Sequence, residues 1–444
     1  MAEVVTVSKS KMVEVTIAAT MGTTIDYFDF FIAGFAAAIV WPRLFFSVAN
    51  PIVATALGIS TYGLTFVFKP FGSYIFGHLG DKLGRKPLLF LTLFIMGIGT
   101  LGIAVLPTYA SIGLIAPIML IILRIIFGIG AGGEYGGAVS IVAEHSYKKK
   151  WRAFWASWSL LGNPIGLALG GAVFLLTSIY TGSSFLTEGW RIPFVFGSIL
   201  ISIAFFVRYR LQESPLFKAV ERRKQIEKSP ASKLIIKHNK RLILLALALA
   251  FAPAVVTIES VPFSLSYLHY FGVSTQFIFI SVIIGAVAGV IGGMLIAIMA
   301  DTIGRKPALL LTAVASAVSS LLFFYLINTL NPSLIILAQV LVEGSAFSSL
   351  GVLPIILSEY FPTKYRYSGV GLSNQFGALI GGLVTSFVTP ALLSYLPKNS
   401  TPAQYISITP YIAGISAAIC IISIIAILLM EETKQLRLDT IKID

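Results

Sequence analysis

Charged residues are scarce in this sequence. Only 11% of the 444 residues are Asp, Glu, Lys or Arg, whereas 57% are hydrophobic and the mean hydropathy is +0.90. A soluble domain needs about 25% charged residues to cover its surface, so this composition excludes a water-soluble fold. The alternating polarity of a membrane β-barrel is lacking too. Continuous apolar stretches recur instead, each long enough to cross about 30 Å of hydrocarbon as a helix.

Cysteine is almost absent, and Cys420 is the single one. An internal disulfide is therefore excluded. The histidines show no metal-ligand spacing, and no Ser/His/Asp or Cys/His set is visible among the membrane-embedded residues. We therefore predict that the protein binds no metal ion or cofactor and is not an enzyme.

Windows of about 19 residues predict twelve transmembrane helices. The first six cover 16–40, 52–77, 88–107, 111–144, 153–180 and 191–208, and the second six cover 241–267, 275–300, 308–329, 333–358, 368–395 and 406–430. The longest polar stretch separates the two sets. We therefore divide the chain into an N-terminal six-helix bundle, a cytoplasmic linker and a C-terminal six-helix bundle with a short tail, at residues 1–208, 209–240 and 241–444.

Lys and Arg are distributed unequally between the two sides of these spans. If the N-terminus is cytoplasmic, 27 of the 32 lie in inner connections and tails, three lie in outer connections, and Lys69 and Arg124 lie inside spans. This asymmetry predicts a multi-pass protein of the cell membrane with both termini in the cytoplasm. It also explains the net charge of +13, so we expect no nucleic-acid partner.

The two halves repeat one motif. The connection after the second span reads GHLGDKLGRKP, and the connection after the eighth reads AIMADTIGRKP. Five residues of the motif recur after 220 positions, and a fainter repeat after 215 positions relates Glu144 to Glu359. Two related halves with a site between them near mid-membrane are typical of a transporter.

The motifs carry a family resemblance. The loop from Gly77 to Lys86 resembles the signature of the major facilitator superfamily, and its copy lies where that family repeats it. Other segments resemble the metabolite:proton symporter branch, namely TTIDYFDFFIAGFAA from Thr23, RIIFGIGAGGEYGGA from Arg124, RLQESPLFK from Arg210 and SEYFPTKYRYSGVGLS from Ser358.

The resemblance implies an all-α polytopic membrane protein with the major facilitator fold, in which twelve transmembrane helices form two pseudo-symmetric six-helix bundles. It also implies proton-coupled symport of a small polar organic metabolite, a carboxylate or zwitterion, by alternating access. The partners would be this substrate, protons and the lipid bilayer, and we expect a monomer. A sugar porter of the same superfamily, proton-coupled or uniport, is the alternative. The segment FAPAVVTIESVPF, however, lacks the paired glutamines expected there.

Several ionisable residues lie inside predicted spans, where each costs at least about 2.5–3.5 kcal/mol and has a functional role by default. Asp26 and Asp29 are three residues apart on one helix face, and two carboxylates so close resist joint ionisation. We predict that one of them carries the coupled proton. The alternative is a permanent ion pair with Arg124. Lys69 either serves the site or snorkels to the surface.

Further candidates follow from residue type and surroundings. Arg124 keeps its charge, and it either binds a substrate carboxylate or stays in a fixed pair. Glu134, between glycine pairs, is either a proton relay or a buried hydrogen-bonding group. The other candidates for substrate binding are Tyr27, Glu259 and Glu343.

The repeated motif lies at the predicted cytoplasmic surface, too shallow for substrate. In the family this loop holds the inner gate shut, and the resemblance implies a gating role for its charged residues; the alternative is that they only set topology. Glu144 with Arg152, and Glu359 with Arg366, are predicted as matching gate pairs. The motif residues assigned to the gate are Asp81, Arg85, Lys86, Asp301, Arg305 and the second lysine, Lys306.

Overall fold

A computed structural model describes most of the chain, namely residues 8–49, 51–147, 149–209, 213–223, 225–256, 263–383, 387, 391, 402–436 and 438. Within these ranges all regular secondary structure is helical. Eight helices of the described part are long and apolar enough to span a membrane by length and composition alone.

Six long helices form the N-terminal half, and each contains or overlaps one predicted span. They are α1 (Lys9–Ile39), α2 (Pro51–Leu83), α3 (Arg85–Ala104), α4 (Ile115–Ser146), α5 (Arg152–Thr181) and α6 (Ile192–Tyr209). Short helices at Trp41–Leu44 and Tyr109–Ile112, and 3-10 turns at Gly182–Leu186 and Gly189–Arg191, connect them. α2 extends beyond its predicted span, so Asp81 lies on this helix rather than in a loop.

The C-terminal half has the same order of helices. The linker forms two short helices, Pro215–Arg222 and Pro230–Lys237. The seventh helix position is broken into α7 (Asn239–Leu249), Phe251–Val255 and Phe263–Tyr270, with residues 257–262 outside the described part. The remaining helices are α8 (Thr275–Ile303), α9 (Arg305–Ile327), α10 (Pro332–Ser348), its continuation Leu353–Tyr360, α11 (Arg366–Leu383) and α12 (Pro402–Leu429). The predicted twelve-helix architecture is confirmed.

The repeated motif forms the same turn in both halves. Gly84 separates α2 from α3 with φ of +103°, and Gly304 separates α8 from α9 with φ of +119°. Only glycine adopts such angles without strain. Both glycines therefore form tight turns, and each turn leaves its aspartate on the last turn of the preceding helix.

Two helix pairs make the most extensive contacts between the halves. α5 packs against α8, and α2 packs against α11. Within each half the contacts are also related, since α2 packs on α4 and α8 packs on α10. Both termini of the described chain, the linker helices and the repeated turns lie at one end of the bundle, which we call the linker face.

Glycines allow α2 and α4 to cross closely. A Cβ atom at Gly72 would overlap the backbone carbonyl of Ile129, and one at Gly132 would overlap that of Lys69. At the same crossing, the Ser73 hydroxyl donates a hydrogen bond to the Gly132 carbonyl at 2.7 Å. Small residues at helix crossings let backbones approach and gain dispersion contacts in a membrane.

This crossing yields a stability prediction. Gly72→Ala is expected to lower the midpoint of thermal unfolding in detergent, because overpacking costs about 1–3 kcal/mol. Gly414→Ala on α12 is the matched control, since no atom of the described residues lies within 4 Å of a Cβ there. Alanine is the better helix former by about 1 kcal/mol, so the control should melt at or above wild type. A Gly72→Ala protein that melts no lower than wild type contradicts the packing argument.

Candidate functional site

A cavity lies between the two halves. Its walls come from α1, α2, α4 and α5 on one side, and from the seventh helix, α10 and α11 on the other. Its water-accessible volume is about 60 Å³, which is small beside the about 300–1,000 Å³ of typical small-molecule sites. Most of the lining is aliphatic or aromatic. The polar side chains that line it are those of Tyr27, Lys69, Tyr135, Asn163, Asn374 and Gln375.

Lys69 is the one charged residue among the described residues that line this cavity. It is only 4% exposed. Its Nζ lies 4.5 Å from the ring centroid of Phe30 and 5.4 Å from that of Tyr27, and a cation is attracted to an aromatic face. The interpretation that Lys69 snorkels to the surface is therefore wrong, because its ammonium group faces the cavity.

Arg124 and Asp29 form an ion pair inside the N-terminal half. Nη2 of Arg124 lies 3.4 Å from Oδ2 of Asp29, and both side chains are fully buried. The guanidinium group also lies 4.7 Å from the ring centroid of Phe127. Arg124 does not line the cavity. The structure thus brings together the two residues that the sequence suggested as a pair, but away from the cavity wall.

Asp26 has different surroundings although it lies one turn from Asp29. It is 3% exposed, and its Oδ1 has no hydrogen-bond partner in the described part of the chain. The charges that act on it belong to Lys69, Glu134, Asp29 and Arg208. Asp26 therefore has buried charges around it without the direct guanidinium contact that neutralises Asp29.

Glu134 is held by Arg208, the last residue of the sixth predicted span. Both guanidinium Nη atoms contact the Glu134 carboxylate, one of them at 2.6 Å, and Nη1 also donates to the carbonyl of Leu89 at 3.1 Å. The Thr92 hydroxyl donates to the same carboxylate at 3.1 Å. Hydropathy places Arg208 at the end of the sixth span and does not indicate that its side chain is buried. The available signal was Glu134 itself, because an acid inside a span requires a cationic partner.

The remaining substrate-binding candidates differ in their position relative to the cavity. Tyr27 lines the cavity. Glu343 is fully buried on α10 and lies against Gly285 of α8, outside the cavity lining. Glu259 falls outside the described residues. The amides Asn163, Asn374 and Gln375 were missed, because uncharged polar residues in a helical span give no strong sequence signal.

At the linker face, each aspartate of the repeated motif binds the start of a helix in the other half. Asp81 accepts from the backbone N–H groups of Tyr367 at 3.1 Å and Ser368 at 2.9 Å, at the start of α11. Asp301 accepts from Ala153 at 3.1 Å and Phe154 at 3.0 Å, at the start of α5. Carboxylates are stabilised there by the unpaired N–H groups and the helix dipole.

A carboxylate flanked by two arginines lies beside each of these contacts. Oε1 of Glu144 lies 3.2 Å from Arg85 and 2.9 Å from Arg366. The predicted partner Arg152 instead lies 3.0 Å from Glu359. The predicted pairs within each half were therefore wrong.

Glu359, like Glu144, binds one arginine from each half. Glu359 binds Arg305 of its own half, at 3.2 Å, and Arg152 of the other. The start of α5 packs on the C-terminal half, and the start of α11 packs on the N-terminal half. The first residues of these helices, Arg152 and Arg366, therefore bind carboxylates of the opposite half. Lys86 takes part through its backbone N–H, which donates to Glu213.

The linker and the tail each add a glutamate and a hydroxyl to this network. Glu213 accepts from the backbone of Lys86 at 3.1 Å, and the Ser214 hydroxyl binds Glu144. In the other half, Glu432 accepts from the backbone of Arg305 at 2.9 Å. The Thr433 hydroxyl likewise binds Glu359 at 2.7 Å. This Glu-hydroxyl pair recurs after 219 residues, a signal that the sequence analysis did not use.

Hydrogen bonds at the linker face lower the pKa of two carboxylates, Glu432 of the tail and Glu227 of the linker. Burial opposes ionisation of Glu432, but backbone N–H groups at the start of α9 donate to it and lower its pKa below the usual range. Hydrogen bonds from Lys233 at 2.8 Å and from the Tyr365 hydroxyl at 2.7 Å lower the pKa of Glu227 to about 2. The linker is thus tied to the C-terminal half by a charged contact.

Comparison with known proteins agrees with this geometry. The sequence profile of the Major Facilitator Superfamily matches residues 19–386. The chain is 33% identical over 430 residues to the inner membrane metabolite transport protein YhjE of Escherichia coli (strain K12), covering 95% of this chain and 94% of that protein. It is 32% identical to the shikimate transporter of the same strain, covering 97% of each, and 33% identical to its proline/betaine transporter, covering 93% and 84%.

Solved structures of proteins with lower sequence identity share the fold. A structure of the proton:xylose symporter XylE bound to 6-bromo-6-deoxy-D-glucose superposes with a TM-score of 0.77 at 17% identity, covering 98% of both chains. The crystal structure of a D-xylose-proton symporter gives a TM-score of 0.73 at 18% identity, covering 95% and 98%. With matching motifs, matching length and a shared fold, the chain belongs to the Major Facilitator Superfamily and is a multi-pass membrane transporter.

Proposed function

We propose that this protein is a proton-coupled symporter for a small organic carboxylate or zwitterion, working by alternating access with its linker face in the cytoplasm. Residues 1–208 and 241–444 are the two moving halves, joined by the linker 209–240. The observation that carries the proposal is the buried cation Lys69 on the cavity wall. Asp26 attracts this cation electrostatically and has no ion pair of its own among the described residues.

Lys69 supplies the preference for an anionic group. A buried ammonium needs a counter-charge, because removing it from water without one costs several kcal/mol. No acid lines the cavity among its described residues, so a substrate carboxylate completes the site. The apolar and aromatic wall accommodates the rest of a small molecule. The relatives named for shikimate and for proline and betaine support an acid or zwitterion.

Asp26 supplies the coupling. Ionised Asp26 serves as counter-charge to Lys69; once Asp26 is protonated, Lys69 is free to bind the substrate carboxylate. Proton and substrate thereby bind together. In this scheme Arg124 is the fixed partner of Asp29 and joins α1 to α4. Lys69, rather than Arg124, binds the substrate carboxylate.

A sugar porter is the second candidate. The amides Asn163, Asn374 and Gln375, with the hydroxyls of Tyr27 and Tyr135, line the cavity and suit neutral hydroxyl groups. The structural neighbours are xylose symporters. Lys69 is the feature that weighs against this candidate, because a sugar bound while Asp26 is protonated leaves the buried cation without the counter-charge that a carboxylate supplies.

Uptake into proteoliposomes tests the proposed function. Purified protein is given labelled pools of carboxylates, zwitterions and sugars, with and without an inward proton gradient. We expect gradient-dependent accumulation of one carboxylate or zwitterion. Uptake of a sugar that is indifferent to the gradient contradicts the proposal and selects the second candidate.

The coupling role of Asp26 yields a second prediction. Asp26→Asn is expected to abolish gradient-driven accumulation while counterflow exchange persists, because a permanently neutral side chain cannot release the proton. Asp26→Glu is the conservative control and should retain some accumulation. Full accumulation by the asparagine variant eliminates Asp26 as the carrier.

A third prediction concerns Lys69. Lys69→Gln keeps a polar side chain but removes the charge, and it is expected to raise the KM of counterflow. The factor should be about 10–100, since a hydrogen bond to a charged group contributes about 1.5–3 kcal/mol. Gln375→Asn, elsewhere on the cavity wall, is the control for small changes of shape. An unchanged KM in Lys69→Gln rules out a contact with the substrate carboxylate.

A further inference from the structure

Tyr367 of the C-terminal half fills a slot in the N-terminal half. It is the second residue of α11, and its side chain is fully buried. The ring packs with Phe76 and Leu88, and glycines of α2 and α4, Gly80 and Gly137, leave room for it. The slot is therefore shaped by residues of one half and filled by a residue of the other.

The tip of this side chain reaches the buried charges. The Tyr367 hydroxyl donates a hydrogen bond to the carbonyl of Gly133 at 2.9 Å. The next residue is Glu134, which is paired with Arg208. Glu134, Arg208, Arg85 and Asp81 all act electrostatically on the tyrosine. The ring therefore lies between the linker-face network and the Glu134–Arg208 pair.

The same pair adjoins Asp26. Arg208 passes over Gly22 of α1, where any Cβ would collide with its guanidinium group, and Gly22 is one helical turn from Asp26. The groups that face Asp26 and Glu134 are, by element, Asp29 on α1, Lys69 on α2, Thr92 on α3, Arg208 on α6 and Tyr367 on α11. Polar groups therefore continue from the cavity to the slot.

We propose that Tyr367 is a removable seal on the exit of the proton from Asp26, an inference that rests on the proposed role of Asp26. When the halves separate at the linker face, α11 withdraws from α2 and α4, and the ring leaves its slot. Water then reaches the Glu134–Arg208 pair and Asp26. The O–H bond of Asp26 breaks, the proton passes to this water, and Lys69 and Arg208 stabilise the carboxylate that remains.

The contacts of Tyr367 tie the seal to the gate. Its backbone N–H donates to Asp81 while its hydroxyl donates to Gly133. Loss of the Asp81 contact and withdrawal of the ring are therefore one movement of one residue. The proton path opens only when the gate opens, which is the condition for coupling without leakage.

A proton-leak measurement tests the seal. Proteoliposomes that contain a pH-sensitive dye receive an inward proton gradient without substrate. Tyr367→Ala is expected to leak protons and to lose accumulation while retaining counterflow. Tyr367→Phe, which keeps the ring, should stay as tight as wild type. Tyr365→Ala is the matched control, because that tyrosine contacts the linker at Glu227 and lies outside the slot. In Tyr367→Ala/Asp26→Asn the leak should disappear.

Each contrary result is distinct. A Tyr367→Ala protein that exchanges substrate and does not leak overturns the seal and leaves the proposed function intact. A leak that survives in the double variant means that the proton bypasses Asp26, which also overturns it. Accumulation by Asp26→Asn alone removes the proposed function itself.

A second measurement covers the case in which Tyr367→Ala does not fold. Thr92→Cys in a Cys420→Ala background places one thiol beside Glu134. A water-soluble thiol reagent should label it faster when Asp81→Asn releases α11 than when Asp81 is intact. Equal labelling rates contradict the seal.

Discussion

The structure depends on the capture of a helix start by a carboxylate from the other half. Asp81 binds the start of α11, and Asp301 binds the start of α5. Each contact satisfies N–H groups that a helix leaves unpaired and places a negative charge at the positive end of the dipole. These two contacts hold the halves together at the linker face. Because backbone N–H groups can exchange a carboxylate for water, the contact can open without leaving an unsatisfied buried group.

The arginines make this closure cooperative. Glu144 and Glu359 each bind one arginine from either half, so separation of the halves breaks both clusters together. Hydrogen bonds to charged groups contribute about 1.5–3 kcal/mol each. When the linker face opens, hydrogen bonds to water recover part of this free energy. Glu213 and Glu432 cap the neighbouring helix starts. The linker and the tail thus stabilise the closed face without taking part in the cavity.

The halves share the charged network at the linker face but differ in their buried charges. The N-terminal half contains the pairs Arg124–Asp29 and Arg208–Glu134. It also contains Asp26, which has no ion pair among the described residues. The described part of the C-terminal half offers amides to the cavity and Tyr367 to the slot. In our proposal, the N-terminal half therefore carries the proton chemistry. The C-terminal half contributes to substrate recognition and, by moving, controls access of water.

The sequence by itself determined the class, the twelve-helix fold, the two related halves and the repeated motif, because hydropathy and an internal repeat are read directly from the order of the residues. It also named most of the buried charges, since their cost in a membrane makes each one conspicuous. Partner choice was decided only by tertiary packing. Arg152 crosses to Glu359 because α5 starts against the other half, and Arg208 turns inward to Glu134 because Gly22 leaves room. Such contacts depend on distances between helices that no local pattern encodes.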